Sequence, residues 1–295
     1  MELEGTVAVV AGGTRGAGRG IAVALGEKGA TVYVTGRTSR SSGRSPMGRP
    51  ETIEDTAELV DAAGGKGIPV RVDHSRPEEV RTLAQRIRRD HQRLDLLVND
   101  VWGGDALTAW GVPFWEQDLE TGLSLVRQAI ETHIITSHAL VPLMVERRSG
   151  LIVEITDGVD RGYRGAFFYD LAKAGVIRLA VAQAGDLSEH GVLAVAVTPG
   201  FLRSEAMLEH FGVTEANWRD GAAKDPHFIS SETPLYVGRA VAHLAADPER
   251  ARFNGQALSS WGLSDVYGFA DADGARPHWG RYYRDVVLKG EAAPA

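Results

Sequence analysis

Tyr169 and Lys173 stand four residues apart in the segment YDLAK, a spacing that places both on one face of a predicted helix. A phenol titrates near ~10, too high for proton transfer at neutral pH. An ammonium one helical turn away favours the phenolate and lowers that value. Such a pair can protonate a carbonyl oxygen, or take the proton of an alcohol in the reverse direction. The spacing alone is common on helix surfaces. Its weight comes from position: the pair follows the fifth predicted strand, at the carboxyl edge where open α/β sheets bind their ligands.

A second chemical signal lies near the N-terminus. After the run TVAVVA comes AGGTRGAGRG, with Gly12, Gly16 and Gly18 at G-x-x-x-G-x-G spacing. A chain that turns sharply from strand to helix, and lets its backbone approach a diphosphate, excludes β-carbons at such points. The helix start then offers free N–H groups to phosphate. Strand before and helix after are the context that makes the pattern a dinucleotide-binding turn. At the end of the second predicted strand the chain reads Thr35-Gly36-Arg37-Thr38, with no acid for ribose hydroxyls. Arg37, with Arg15 in the glycine turn, suits a 2′-phosphate. The expected cofactor is therefore NADP(H), preferred over NAD(H). Arg40 and Arg44 read as a solvated loop.

These groups need a scaffold. Strand-like runs at 6–11, 31–35, 68–72, 94–98, 150–155, 192–197 and 256–260 alternate with helical patterns up to residue 28 and at 51–63, 77–90, 119–147, 168–190 and 234–246. Alternation of this kind builds right-handed βαβ units and a parallel sheet covered on both faces. The expected fold is α/β: a single doubly wound Rossmann-type sheet with helices on both faces. No repeat or linker divides it, so residues 1–295 read as one catalytic domain with loop decorations and a polar C-terminal extension over 265–295.

Composition agrees. Of 295 residues, 43% are hydrophobic and 24% charged, with net charge −7, an ordinary globular balance that argues against bulk nucleic-acid binding. Cysteine is absent, which removes disulfides, thiolate metal sites and a thiol nucleophile. The nine histidines show no metal-ligand spacing, and no metal is expected. No run reaches the ~18 apolar residues of a membrane span, and Glu2 and Glu4 stand where a leader has basic residues. The expectation is a soluble, cytoplasmic protein without membrane or nucleic-acid partners.

Taken together, AGGTRGAG, Tyr169/Lys173 and Thr198-Pro199-Gly200 resemble the short-chain dehydrogenase/reductase superfamily, in the same order from about Gly5 to Trp261. The resemblance implies that Tyr169 is the general acid/base and that Lys173 binds the nicotinamide ribose and tunes the phenol. It implies a cofactor shell of Gly12, Thr14, Arg15, Gly16, Gly18, Arg37, Asp73 with His74, Asn99, Tyr169, Lys173, Pro199, Gly200, Leu202 and Ser204. Asp73 matches the adenine-contacting acid, Asn99 the first Asn of an N-N-A-G motif, and Ser204 the Thr that contacts the carboxamide. The long loop after Asn99, FWE and LVPLM are similar to the dehydrogenase/reductase family member 1-like branch.

Three departures matter. The family's Ser after the fifth strand is missing from IVEITDG. Thr156 is taken as its replacement, because a hydroxyl donates to a carbonyl oxygen and an ionised carboxylate does not; a raised Asp157 is the alternative. The family's Asn in the fourth helix aligns near Ala129. N-N-A-G reads Asn99-Asp100-Val101-Trp102. Trp102, Asp157 and Phe211 are the candidate substrate-pocket residues, the aromatics being equally suited to packing. The wide apolar stripe on the helix after Tyr169 reads as an interface, giving a homodimer or homotetramer. The resulting expectation is an NADP(H)-dependent oxidoreductase acting on a small carbonyl or alcohol. The alternatives are an NADP(H)-binding sensor or scaffold of weak or no activity, and an isomerase or dehydratase use of the same Tyr.

Overall fold

The structure is a computed structural model that describes residues 2–41, 48–159 and 162–290. Arg44, with most of the tip of the basic loop, and the last five residues of the extension lie outside the described residues. Seven strands form the sheet: β1 (Val7–Ala11), β2 (Thr31–Gly36), β3 (Lys66–Arg71), β4 (Leu96–Asn99), β5 (Gly150–Ile155), β6 (Val192–Thr198) and β7 (Ala257–Ser259). All pair in parallel, in the order β3-β2-β1-β4-β5-β6-β7. The doubly wound arrangement expected from the strand–helix alternation is the one observed.

The helices are α1 (Gly16–Glu27), α2 (Ile53–Ala62), α3 (Pro77–His91), α4 (Leu119–Val126), α5 (Thr132–Leu140), α6 (Pro142–Val145), α7 (Phe167–Leu187), α8 (Glu205–Phe211), α9 (Pro234–Ala246), α10 (Ser260–Tyr267) and α11 (Trp279–Tyr282). Local chemistry sets their starts. Pro77 and Pro234 occupy first-turn positions, where the missing N–H costs nothing. Thr52 and Asp55 form a reciprocal capping box at α2. Pro69 sits in β3, an edge strand, where a lost ladder donor is tolerated. The long helix expected over 119–147 is interrupted by a wide turn at Arg127–Glu131 that periodicity does not reveal.

Strand alternation sorts the core into two layers. Ala8, Val10, Val32, Val34, Val98 and Val153 face α1, α2 and α9, whereas Val7, Val9, Tyr33, Leu97 and Ile152 face α3, α5 and α6. On the first face α1 and α9 cross backbone to backbone. A Cβ at Gly20 would overlap the Pro234 carbonyl, and one at Gly238 the Gly20 carbonyl. Among the described residues no helix is long and apolar enough to cross a membrane.

Substitution Gly20→Val forces two helices apart across this contact. Overpacking of this kind costs ~1–3 kcal/mol, and the added branch at a backbone contact places it at the upper end. The expected outcome is a lowered urea midpoint with an unchanged denaturant slope.

Candidate active site

β1 and β4 lie side by side at the point where strand order reverses, and their chains leave toward opposite faces. Gly12 follows β1 at φ +89, and a Cβ there would overlap the Asp100 carbonyl that follows β4. Position and conformation both exclude a side chain. Asp100 lies against Gly18 of α1; burial pushes its carboxyl up to about 7, opposed by the charges of Lys173 and His133 and by the Gly18 amide. The turn also fits an anion. α1 begins at Arg15 without a side-chain cap, and the Gly16 amide donates at 2.7 Å to the carboxylate of Glu205. Gly12, Gly16 and Gly18 thus occupy the crevice mouth.

Arg15 is partly buried, which lowers its guanidinium. Thr14 is buried with its carbonyl held by Arg19 at 2.7 Å. Arg37 lies just beyond β2 beside Asp73. Burial would raise the Asp73 carboxyl, but hydrogen bonds from the Ser75 hydroxyl and amide, with Arg37 and Arg76 nearby, hold it below the usual range. Arg40 is bound to Asp55 and Glu58 of α2.

Two expected cofactor residues turn inward instead. The His74 ring is buried between Thr35 Oγ1 (2.8 Å) and Thr136 Oγ1 (2.7 Å), and burial holds it neutral, down to about 3. The Asn99 amide donates to Ser137 Oγ and Glu154 Oε1, each at 2.9 Å. Both side chains are buried and bonded to groups inside the fold. His133 joins this network, bridging Glu154 Oε2 (2.7 Å) and the Val101 carbonyl (3.2 Å), as expected of a satisfied internal histidine.

Tyr169 and Lys173 lie on the first turns of α7. Tyr169 Oη donates to Asp157 Oδ2 at 2.8 Å, and Lys173 Nζ lies 3.9 Å above the Trp102 ring and 5.7 Å from the Tyr169 ring centre. Trp102 meets Tyr169 edge-on at 5.6 Å and Trp110 packs on it at 5.0 Å. The electrostatics run against the expected acidic phenol. Burial, then the Asp157 charge and hydrogen bond, push Tyr169 well above its ordinary value. Lys173 is lowered by burial, with Asp157, Asp100 and Asp105 opposing.

Thr156 does not take the expected place. It is buried, and its hydroxyl donates to the Lys173 carbonyl at 2.7 Å, fastening β5 to α7. The group facing the phenol is the Asp157 carboxylate. The reason is strand parity: Thr156 continues the face of Glu154 toward α7, and Asp157 emerges at the strand end. Ala129 is buried and lines a small cavity with Asp100, Trp102, His133 and Lys173. The amide expected from the resemblance is absent there, and the neighbouring Gln128 instead holds the Trp102 carbonyl at 2.8 Å.

After β6, Gly200 N donates to the buried Glu232 Oε2 at 2.9 Å, which also accepts from Ser260 Oγ at 2.6 Å. Pro199 and Gly200 lie at the carboxyl end of the sheet. Leu202 forms a bridge to Glu232 and packs on the core, and Ser204 caps α8 by accepting from Met207 N at 3.3 Å. Phe211 is not a pocket residue. It is buried 4.3 Å from the Phe228 ring, in a small core with Phe201 and Trp218, because so short a helix needs its apolar face to hold the segment 201–230 together. The extension, expected to be polar, sets Trp279 edge-on to Phe201 at 5.7 Å and holds Tyr282 Oη 3.1 Å from His227; Trp279 lies against Gly200.

The chain matches the family model described as short chain dehydrogenase over residues 6–212. It belongs to the short-chain dehydrogenase/reductase family. Dehydrogenase/reductase SDR family member 1 of Homo sapiens is 34% identical over 92% of this chain and 85% of that protein, as is its Mus musculus counterpart. The 3-oxoacyl-[acyl-carrier-protein] reductase FabG of Vibrio cholerae is 29% identical over 88% of this chain and 96% of its own length. A metagenomic short-chain oxidoreductase solved in complex with NADP shares the fold, with TM-score 0.64 and 23% identity over 84% of this chain and 93% of that one. The chain is thus an NAD(P)-dependent oxidoreductase, in the branch resembling family member 1. Gln128, Glu205 and Glu232 also shape the site and lie outside the sequence motifs; only Glu205, next to Ser204, stands beside a motif residue that could have marked it.

Burial pushes the Glu232 carboxyl up to about 8, with Ser260 and Gly200 opposing. The folded chain keeps this proton where the unfolded chain, near ~4.3, has lost it. The stability this contributes is full below the unfolded value and falls as pH rises toward 8. In urea denaturation the wild type is expected to lose stability between about pH 5 and about pH 8, with Glu232 alone contributing up to ~1.4 kcal/mol per pH unit. Glu232→Gln flattens the slope to what Asp100 contributes.

Proposed function

We propose that this oxidoreductase prefers NADP(H) and reduces a small carbonyl compound, or oxidises the matching alcohol, with Tyr169 as the group that exchanges the proton. The observation that carries the reading is the meeting of the Tyr169 hydroxyl, the Asp157 carboxylate and the Lys173 amine under an aromatic wall at the carboxyl end of the sheet. The 3-oxo group in the name of the 3-oxoacyl reductase relatives supports the substrate class. Trp102 and Trp110, both against Tyr169, form the apolar side expected of a small-molecule pocket.

Bound nicotinamide would supply the hydride. Gly12, Gly16, Gly18 and Arg15 would hold its diphosphate side, Arg37 the 2′-phosphate, Asp73 the adenine, and Pro199, Gly200, Leu202 and Ser204 the carboxamide side. In reduction Tyr169 turns its hydrogen bond from Asp157 to the substrate oxygen. A phenol held protonated by burial is still a stronger acid than the alcohol it forms, so it can give its proton to the developing alkoxide. Lys173 supplies the positive charge beside that oxygen. Asp157 then accepts the hydrogen bond of the alcohol product. Association of two copies through α7 is part of the proposal: Phe167 and Leu171 are exposed large apolar side chains on its first turns.

A non-catalytic cofactor sensor is the rival reading, favoured by the Tyr169 proton being engaged by Asp157 and by Ala129 lacking an amide. NADPH turnover over a panel of ketones and aldehydes separates them. Tyr169→Phe is expected to lower kcat/KM by ~10²–10⁴ and to leave NADPH affinity within about twofold, set by the glycine turn and not the phenol. Wild-type binding without turnover on any carbonyl would favour the sensor.

Cofactor preference is tested separately. Arg37→Asp replaces a phosphate partner by a repelling charge and a ribose ligand. The expected result in fluorescence titration is a loss of NADPH affinity of at least ~10-fold, about 1.4 kcal/mol, with NADH affinity unchanged or improved.

A further inference from the structure

The first turn of α1 contains no acidic residue, and its N-cap, Arg15, offers no side-chain acceptor. The open donor is met from far away in sequence. Glu205, 189 residues beyond Gly16, accepts from Gly16 N through Oε2 at 2.7 Å and places Oε1 3.1 Å from Arg19 Nη1. Arg19 is itself fixed, donating to the Thr14 carbonyl at 2.7 Å and to Thr56 Oγ1 at 3.1 Å. Its remaining charge therefore faces one point. That point combines an N–H at a helix start, the positive end of a 12-residue helix and a held guanidinium, the donor set that binds phosphate.

Glu205 is the first residue of α8. The start of α8 lies against Gly16 through Ser204, so the carboxylate sits between two helix starts. The far end of α8 is tied by an ion pair between Glu209 and Arg49, which also binds Glu51. α8 is thus a strap across the cofactor crevice with two charged fastenings. One of them uses the donors that the glycine turn presents to a ligand.

We propose that Glu205 is an internal ligand of the α1 anion seat, standing in for the cofactor's diphosphate, so that dinucleotide entry is an exchange in which Glu205 leaves and the first turn of α8 is released. This rests on the dinucleotide reading of the turn. A diphosphate outcompetes one carboxylate by greater charge and more acceptor oxygens, but the occupied fraction lowers its apparent affinity in proportion. A seat closed ~90% of the time weakens binding about tenfold. A permanent structural cap, by contrast, would keep α8 in place and aid binding.

The test measures NADPH by fluorescence titration and inorganic pyrophosphate by calorimetry, on wild type, Glu205→Gln, Glu205→Ala and Glu209→Gln. Gln keeps the shape and removes the charge; Ala removes the acceptor as well. Both Glu205 variants are expected to bind NADPH and pyrophosphate about tenfold more tightly than wild type. Glu209→Gln cuts only the distal fastening and stays within about twofold. Unchanged or weaker binding by the Glu205 variants, while wild type binds NADPH, overturns the exchange and leaves Glu205 a structural cap. An equal gain in Glu209→Gln overturns it too, because loosening of α8 and not the seat would then be the cause. Absence of NADPH and pyrophosphate binding in every form overturns the dinucleotide reading and the exchange with it.

Discussion

The site depends on the divergence of two neighbouring parallel strands. β1 and β4 run side by side, but the chain leaves β1 for one face of the sheet and β4 for the other. The crevice between them is lined by backbone, because Gly12 and Asp100 approach too closely for a side chain. Backbone amides and a helix start are what such a crevice can offer, and these are donors. The crevice is therefore a place for anions before any particular ligand is considered. The side chains that gather around it, Arg15, Arg19 and Arg37, reinforce that sign.

A few residues away along the carboxyl edge the balance reverses. Asp100, Asp105 and Asp157 act on Lys173, Asp105 and Asp157 also act on Tyr169, and Trp102 lies over the lysine. Burial raises Asp100 and Tyr169 and lowers Lys173, so these three groups are pushed toward their neutral forms. The hydrogen bond from Tyr169 to Asp157 stabilises the protonated phenol in the same direction. Activation of the phenol by Lys173 is thus opposed by two larger effects. The proton is stored on the phenol, and the arrangement is suited to giving it away.

Much of this was legible in the residues. Strand positions followed from apolar runs, and the helix starts expected at 51, 77 and 234 lie at or close to those observed at Ile53, Pro77 and Pro234. The glycine turn and the Tyr–Lys spacing marked the two ends of the site, because both are local patterns. What was not legible is long-range or turns on one residue. Hydrogen-bond chemistry alone favours Thr156 over Asp157. Parity with Glu154 places the Thr156 hydroxyl against α7 and settles the geometry the other way. Asn99 and His74 sit at motif positions, yet their side chains are spent on Glu154, Thr35 and Thr136, partners that a single sequence does not pair. Phe211 offered an apolar surface that α8 and the segment after it needed for their own small core. The wide turn at Arg127–Glu131 left no trace in periodicity.

The polar groups best placed to engage a ligand already have partners within the chain. Gly16 N is bound to Glu205, Tyr169 Oη to Asp157, and Ser204 Oγ to the start of α8. An unmet donor costs ~1–3 kcal/mol where it is buried, so a chain that left the partly covered Gly16 amide and Tyr169 hydroxyl open would lose part of that stability at each. Each internal partner is also of the kind a ligand would bring: an anion at the helix start, an oxygen acceptor at the phenol. Ligand binding at this edge is therefore a replacement of like by like. Net affinity is then set by the difference between two sets of hydrogen bonds, and residues such as Glu205 that touch no motif govern it as directly as the glycines do.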